Sequence, residues 1–251
     1  MQIVRSLFAL PALILALVAG ADSALSAQAG NTNAPGRALR GETVVVELFT
    51  AQGCDACPAA NDLVTELAEN PDVITLTYAV DYWDYLGWAD TYAKPEFSQR
   101  QQAYTAWLKL RDVYTPQVII DGRVQLSGTK RDDVTDAVQK ALSTRDYPPD
   151  IQFISGNRVL IGSSQRLVGR ADVLLVRYDP DVNEVAVKRG DNKGLTLSQP
   201  NMVRDVVRVG TWTGRPVRLS LPADGPRHAG LKAVVLIQSQ KTGRIIGAAR
   251  R

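Results

Sequence analysis

A β-forming run, Thr43-Val44-Val45-Val46-Glu47-Leu48-Phe49, feeds directly into Gly53-Cys54-Asp55-Ala56-Cys57-Pro58, and a helical pattern follows. Cys54 and Cys57 are the only cysteines in 251 residues. A strand that delivers a Cys-x-x-Cys to a helix start is the arrangement used by thiol–disulfide chemistry. A structural staple is the plain alternative. A ring of four residues gains only about 2 kcal/mol from loop closure, near the bottom of the useful range. A zinc site would need a second half that the chain lacks, since His228 is the only histidine and sits in a Pro/Gly-rich loop where it would be solvated. A copper(I) site made of the two thiolates stays open, because soft metals accept few soft ligands. The single histidine also counts against a Ser-His-Asp hydrolase.

The N-terminus reads as an export signal, residues 1–29. Arg5 gives a short positive start, and Leu7 to Val18 is apolar but too short to span a bilayer comfortably. Ala27-Gln28-Ala29 fits a small-x-small cleavage site, with Leu25-Ser26-Ala27 as a weaker rival. An uncleaved membrane anchor is the alternative, and it would be the chain's one link to a membrane. Residues 30–40 read as a disordered lead-in. A periplasmic or secreted location follows, and there disulfides persist.

The remainder reads as two domains, 41–147 and 148–251, with Tyr147-Pro148-Pro149-Asp150 at the boundary. Residues 41–146 carry 9 Lys+Arg and 17 Asp+Glu, whereas residues 147–251 carry 17 and 8. Opposite fields of this size steer surfaces together, so the halves would dock, unless the basic half instead meets an acidic partner. Nucleic acid is excluded as a partner because the basic residues are scattered along strands and no binding motif accompanies them.

The acidic half has the order β-α-β-α-β-β-α. Thr43 to Phe49 is a buried central strand; Pro58 to Asn70 is a helix with Leu63, Val64, Leu67 and Ala68 on one stripe; Val73 to Val80 is the next strand. Phe97 to Asp112 is a second helix. Gln117 to Ile120 and Val124 to Ser127 form a hairpin around Asp121-Gly122, and Asp132 caps a third helix. The basic half reads as strands at Asp172–Val176, Val182–Lys188, Val203–Val209, Val217–Leu221 and Leu231–Gln238, a small antiparallel β-sandwich that presents or docks a substrate.

Cys54, at the exposed end of the first helix, would be the attacking sulfur, because unpaired amides and the helix dipole favour its thiolate. Cys57, one turn in, would resolve the mixed disulfide. Asp55 disfavours a neighbouring thiolate, which makes the couple less oxidising and points to a reductant or isomerase rather than a primary oxidant. Glu47, a carboxylate in an apolar strand, is either a buried acid that shuttles the proton of Cys57 or a side chain that reaches solvent. Asp81-Tyr82-Trp83-Asp84-Tyr85-Leu86-Gly87-Trp88 follows the C-terminal end of the second strand, where α/β sheets carry binding sites. Asp81, Tyr82, Trp83, Asp84 and Trp88 would rim a substrate site or, as packed rings, complete the core.

The element order, Cys54-x-x-Cys57 and Thr115-Pro116 before the third strand resemble the thioredoxin superfamily. That resemblance implies a cis Pro116 facing the disulfide, with Thr115 beside it in the substrate site. The wording Val-Val-Glu-Leu-Phe-Thr-Ala-Gln-Gly-Cys-Asp-Ala-Cys-Pro, then Val80-Asp81-Tyr82-Trp83-Asp84, then Val113-Tyr114-Thr115-Pro116-Gln117, resembles a secreted thioredoxin-like family catalogued as domain of unknown function 1223. The likeness continues through Arg189-Gly190-Asp191-Asn192-Lys193-Gly194 and Asn201-Met202-Val203-Arg204. Two histidines frequent in that family are replaced here by Ala79 and by the Ser198-Gln199-Pro200 region, so the resemblance does not carry over a role, metal binding included, that depends on them. The expectation is an exported thiol–disulfide oxidoreductase without a cofactor or metal, acting on a protein or small-molecule thiol or disulfide and served by a redox partner. A non-catalytic binding or assembly protein, or a copper carrier, are the alternatives.

Overall fold

The computed structural model describes residues 43–144, 148–164 and 169–251. The expected signal and lead-in, and Tyr147 at the expected domain boundary, lie outside the described residues.

The first strand, β1 (Val44–Thr50), is buried along its whole length. Its alternation places Val44, Val46 and Leu48 on one face and Val45, Glu47 and Phe49 on the other. Helix α1 (Cys57–Leu67) and strand β2 (Val73–Ala79) follow, and β2 pairs parallel to β1. A 3-10 turn, Asp84–Leu86, leads to α2 (Pro95–Leu108). Strands β3 (Gln117–Ile120) and β4 (Val124–Ser127) complete a four-stranded sheet of order β2-β1-β3-β4, and α3 (Arg131–Ser143) closes the acidic half. The turn between β3 and β4 has positive φ at both Asp121 and Gly122, which an Asp-Gly pair tolerates.

Local chemistry sets the helix ends. α2 stops four residues before the expected Asp112 because Lys109 adopts a left-handed conformation, φ 56°. α3 starts at Arg131 with Lys130 as its cap, and Asp132, expected as the cap, stands in the first turn beside Asp133, where the helix dipole favours negative charge.

The basic half is built of strands, β5 (Ile151–Ile154), β6 (Arg158–Ile161), β7 (Ala171–Tyr178), β8 (Val182–Ala186), β9 (Thr196–Pro200), β10 (Val203–Trp212), β11 (Val217–Ser220), β12 (Lys232–Ser239) and β13 (Ile245–Arg250), with a 3-10 turn at Pro226–His228. They form antiparallel sheets of order β10-β7-β12-β13 and β11-β6-β5, and β8 pairs with β9 alone. The chain is therefore mixed α/β, with four sheets and three α-helices among the described residues.

Three apolar layers order these parts. Val44, Val46 and Leu48 pack with α1 and α3 through Leu63, Val64, Val134 and Val138. Val45, Phe49, Ile74 and Tyr78 on the opposite face join Phe97 and Tyr104 of α2 and also Leu174, Val176, Val234 and Leu236 of the basic half. Val173, Leu175, Val235 and Ile237 face Ile151, Val159 and Ile161. One apolar cluster thus spans sequence on both sides of residue 147, and the described residues fall in one compact unit, Ala38–Arg251. Two turns meet there without side chains: a Cβ on Gly122 would strike the carbonyl of Gly243, and a Cβ on Gly243 would strike the Trp107 ring.

Candidate functional site

At the end of β1 the chain turns twice. The Cys54 N–H donates to Ala51 O at 3.2 Å, and the Cys57 N–H to Cys54 O at 3.2 Å. α1 then begins at Cys57 with Ala56 as its cap. Cys54 and Cys57 are disulfide-bonded with their Cα atoms 5.4 Å apart. Cys54 therefore lies ahead of the helix rather than on its first turn. It is also not exposed: each cysteine is 1% accessible, while Asp55 between them is at the surface. The expectation of an exposed leading sulfur gives way to a covered disulfide beside an exposed Asp55 and a half-buried Ala56.

Two segments pack over the cysteine loop. The first is the aromatic segment after β2. Gly53 lies against Trp83 and Leu86, where a Cβ would sit 3.5 Å from Trp83 Cβ. Trp88 Nε1 donates to Gln52 Oε1 at 2.8 Å. The second cover is the turn between β8 and β9. Gly190 approaches Gly53 and Leu86, and Asn192, 2% accessible, donates from Nδ2 to Gln52 O at 2.9 Å and to Cys54 O at 2.7 Å.

Gln52 binds both covers. Its Nε2 donates to Thr91 Oγ1 at 2.8 Å and to Gln199 Oε1 at 2.9 Å, and its N–H donates to Asp90 Oδ2 at 2.7 Å. Burial pushes the Asp90 carboxyl above its ordinary value, against the pull of the Tyr92 and Gln52 amides that donate to it. Gln52, Asn192 and Gln199 were not legible as site residues. The one signal was the family likeness: Gln52 and Asn192 lie in runs that carry it, and Gln199 lies in the region where a family histidine is replaced.

The Thr115–Pro116 peptide bond is cis. Pro116 packs over Gly128, and a Cβ there would come within 2.8 Å of Ala60 Cβ and 2.9 Å of Pro116 Cβ, so the missing side chain lets Pro116 approach α1 one turn beyond Cys57. Gln101 of α2, fully buried, pins this segment by donating from Nε2 to Tyr114 O at 2.8 Å and Gln117 Oε1 at 2.9 Å. The Tyr82 hydroxyl lies beside Gln101 and Thr115, and burial pushes its pKa up to about 12. Tyr82 Oη, Thr115 Oγ1 and Gln101 Oε1 are buried without a well-formed hydrogen bond.

The remaining predicted residues do other work. Asp81 accepts from Ser98 Oγ at 2.5 Å, and Asp84 accepts the Asp90 N–H at 3.1 Å, so both acids hold the aromatic segment in shape. Tyr82 and Trp83 pack against the apolar cluster that contains both cysteines. Glu47 is fully buried, and the alternative of a side chain reaching solvent is corrected by that burial. Its carboxylate accepts from Arg100 Nε at 2.7 Å and from the Tyr104 hydroxyl, and Arg100 Nη1 donates on to Gln238 Oε1 at 3.0 Å. Burial opposes the Arg100 charge, but Glu47 and the neighbouring phenols outweigh it and hold the guanidinium above its ordinary pKa. His228, expected to be solvated, has a side chain only 7% accessible; its Nδ1 accepts the Gly225 N–H at 3.0 Å. No group of three or more His, Cys, Asp or Glu suited to a metal ion occurs among the described residues.

A family model described as protein of unknown function (DUF1223) matches residues 45–238. Among solved structures, protein AGR_C_4864 from Agrobacterium tumefaciens is 34% identical, with 82% of this chain and 92% of that one covered at a TM-score of 0.67. HBP35 of Porphyromonas gingivalis, 12% identical, matches over 86% of this chain and 76% of its own at a TM-score of 0.59, a likeness of fold alone. No curated protein matches the chain.

Proposed function

The chain belongs to the DUF1223 family, whose function is unknown, and from that premise we propose that it is an exported thiol–disulfide oxidoreductase of the reductant or isomerase type. In this reading the first half is a thioredoxin-like domain and the second a small β-sandwich that covers and presents the reactive bond. The observation that carries the reading is the Cys54–Cys57 disulfide at the junction of a central strand and a helix. A four-residue ring contributes only about 2 kcal/mol by chain entropy, so its placement is better explained by reactivity than by stapling.

The reaction balances as two successive displacements. The Cys54 thiolate of the reduced protein attacks a substrate disulfide, forms a mixed disulfide and releases one substrate thiolate. Cys57, having given up its proton, attacks Cys54 Sγ, restores the Cys54–Cys57 bond and releases the second substrate thiolate. Two electrons pass to the substrate, and a separate redox partner returns them. The exposed Asp55 disfavours the Cys54 thiolate and so biases the couple toward reduction of others. Tyr82 Oη and Thr115 Oγ1, buried beside the Pro116 turn without a well-formed hydrogen bond, become groups for a substrate backbone only once the site opens.

The test is insulin reduction by the leaderless chain with dithiothreitol as electron source. Wild type should accelerate precipitation at least tenfold over background and Cys54→Ser not at all. Equal rates would overturn the reading.

The burial of both sulfurs favours a second reading, a binding or assembly protein that keeps the pair without turnover. After reduction, Cys54 would then resist alkylation by iodoacetamide in the native chain, whereas the redox reading expects it to react.

A further inference from the structure

Reaction at a disulfide sulfur requires an attacking thiolate to approach along the S–S axis, and 1% accessibility leaves no such approach. The cover contributed by the basic half is attached in a particular way. In the turn joining β8 to β9, Lys188, Arg189, Asp191, Lys193, Gly194 and Leu195 are exposed, and within the Arg189–Gly194 tip Asn192 is the one buried residue. Both protons of its amide nitrogen are used on backbone carbonyls of the cysteine loop, Gln52 O and Cys54 O.

The turn otherwise holds its own shape. Gly194 donates to Val187 O at 2.9 Å, Val187 to Leu195 O at 2.9 Å, Lys193 to Gly190 O at 3.1 Å and Leu195 to Asn192 O at 3.0 Å. β8 and β9 form a separate two-stranded sheet. Its far end is fixed: Gln199 accepts from Gln52, and Ser198 O accepts from Asn61 Nδ2 at 3.0 Å. Val187 and Leu197, both buried, stand between this anchored base and the exposed tip.

Resting on the redox reading above, we propose that the Arg189–Gly194 turn is a lid over the Cys54–Cys57 bond, with Asn192 as its latch, and that the disulfide exchanges with a partner thiol only after the lid lifts. Lifting replaces two amide–carbonyl hydrogen bonds by bonds to water and leaves the internal bonds of the turn intact, so it is a local opening and does not require unfolding. Asn192 is a positioning residue: it acts on access to the sulfur and takes no part in electron transfer.

The test is the rate at which dithiothreitol reduces the disulfide in the folded leaderless chain, read by maleimide capture and mass. Each reduction consumes one dithiothreitol, which leaves as its cyclic disulfide, and yields the Cys54 and Cys57 thiols. Asn192→Ala and Asn192→Asp, neither able to donate to the two carbonyls, should be reduced at least tenfold faster than wild type, with thermal midpoints within a few degrees of it. Rates equal within twofold would overturn the lid. Hydrogen exchange of the wild-type chain tests it without a variant. The Asn192 side-chain amide protons, which lifting frees while the backbone bonds of the turn persist, should exchange at least a hundredfold faster than the backbone amides of β1, and exchange as slow as β1 would show that the lid opens only by global unfolding. Chemical reduction reads the lid whether or not any protein substrate is turned over, so failure here and failure of the insulin assay are distinguishable.

Discussion

Gln52 Nε2 donates to Gln199 Oε1 at 2.9 Å, joining the residue two before Cys54 to a strand that lies 147 residues later. The same side chain accepts from Trp88 Nε1 and donates to Thr91, so one buried amide ties the cysteine loop to both of its covers. Replacing it strands several buried groups together. Gln52→Ala should lower stability by about 2–4 kcal/mol, measured by urea unfolding, because unmet buried donors and acceptors cost more than the bonds contributed. Gln52→Glu should not rescue, since it cannot donate to Gln199 or Thr91.

The Glu47–Arg100 pair sits in the apolar layer between the sheets, with side-chain accessibilities of 0% and 10%. Glu47→Leu leaves a buried guanidinium without its counter-charge and should cost about 3–5 kcal/mol in guanidinium chloride unfolding. Combining it with Arg100→Met should recover most of that loss, because an apolar pair avoids the desolvation that the ion pair must overcome. A double variant as unstable as the single would mean that the wider Tyr104 and Gln238 network, rather than the charge, sets the cost.

How much of this was legible in the sequence follows from the range of each signal. β1, α1 and the Asp121-Gly122 turn were readable because their apolar spacing and turn chemistry are local. β5, β6, β9 and β13 were not: β9 is Thr-Leu-Ser-Gln-Pro, mostly polar, and becomes a strand by pairing with β8. The cysteines were found by motif, but their burial was not, because the covering Asn192 is far from them in sequence. Glu47 was recognised as an anomaly in an apolar strand, while its partners on α2 could be assigned only once the helix was packed.

Tyr82 offers a pH signature. Burial holds its phenol neutral up to about 12, against an ordinary value of 10.0. Between these values the native chain retains a proton that the unfolded chain has lost, so stability is fully present below about pH 10 and falls as pH rises through the window. Allowing for the partial exposure of the ring, wild type should lose about 1–2 kcal/mol more than Tyr82→Phe between about pH 10 and 12. Urea unfolding at the two ends of that range measures the difference.

Gly243 separates backbone strain from collision. Its φ is +70°, and a Cβ would enter the Trp107 ring. Gly243→Ala should cost about 2–4 kcal/mol, strain and overpacking together. Gly230, with φ +80° and nothing within 4 Å of a Cβ, supplies the comparison: Gly230→Ala should cost only about 1 kcal/mol. Thermal midpoints of the two variants check the ordering.

Glutathione equilibration of the protein, with thiols trapped in acid and counted by mass, asks most directly whether the Cys54–Cys57 bond is a working redox couple. The account expects one two-electron transition with a midpoint between about −270 and −180 mV, in the range of reductants and isomerases and well below the strong-oxidant value near −120 mV. A midpoint below about −300 mV, where the bond would resist the glutathione pool as structural disulfides do, would contradict it.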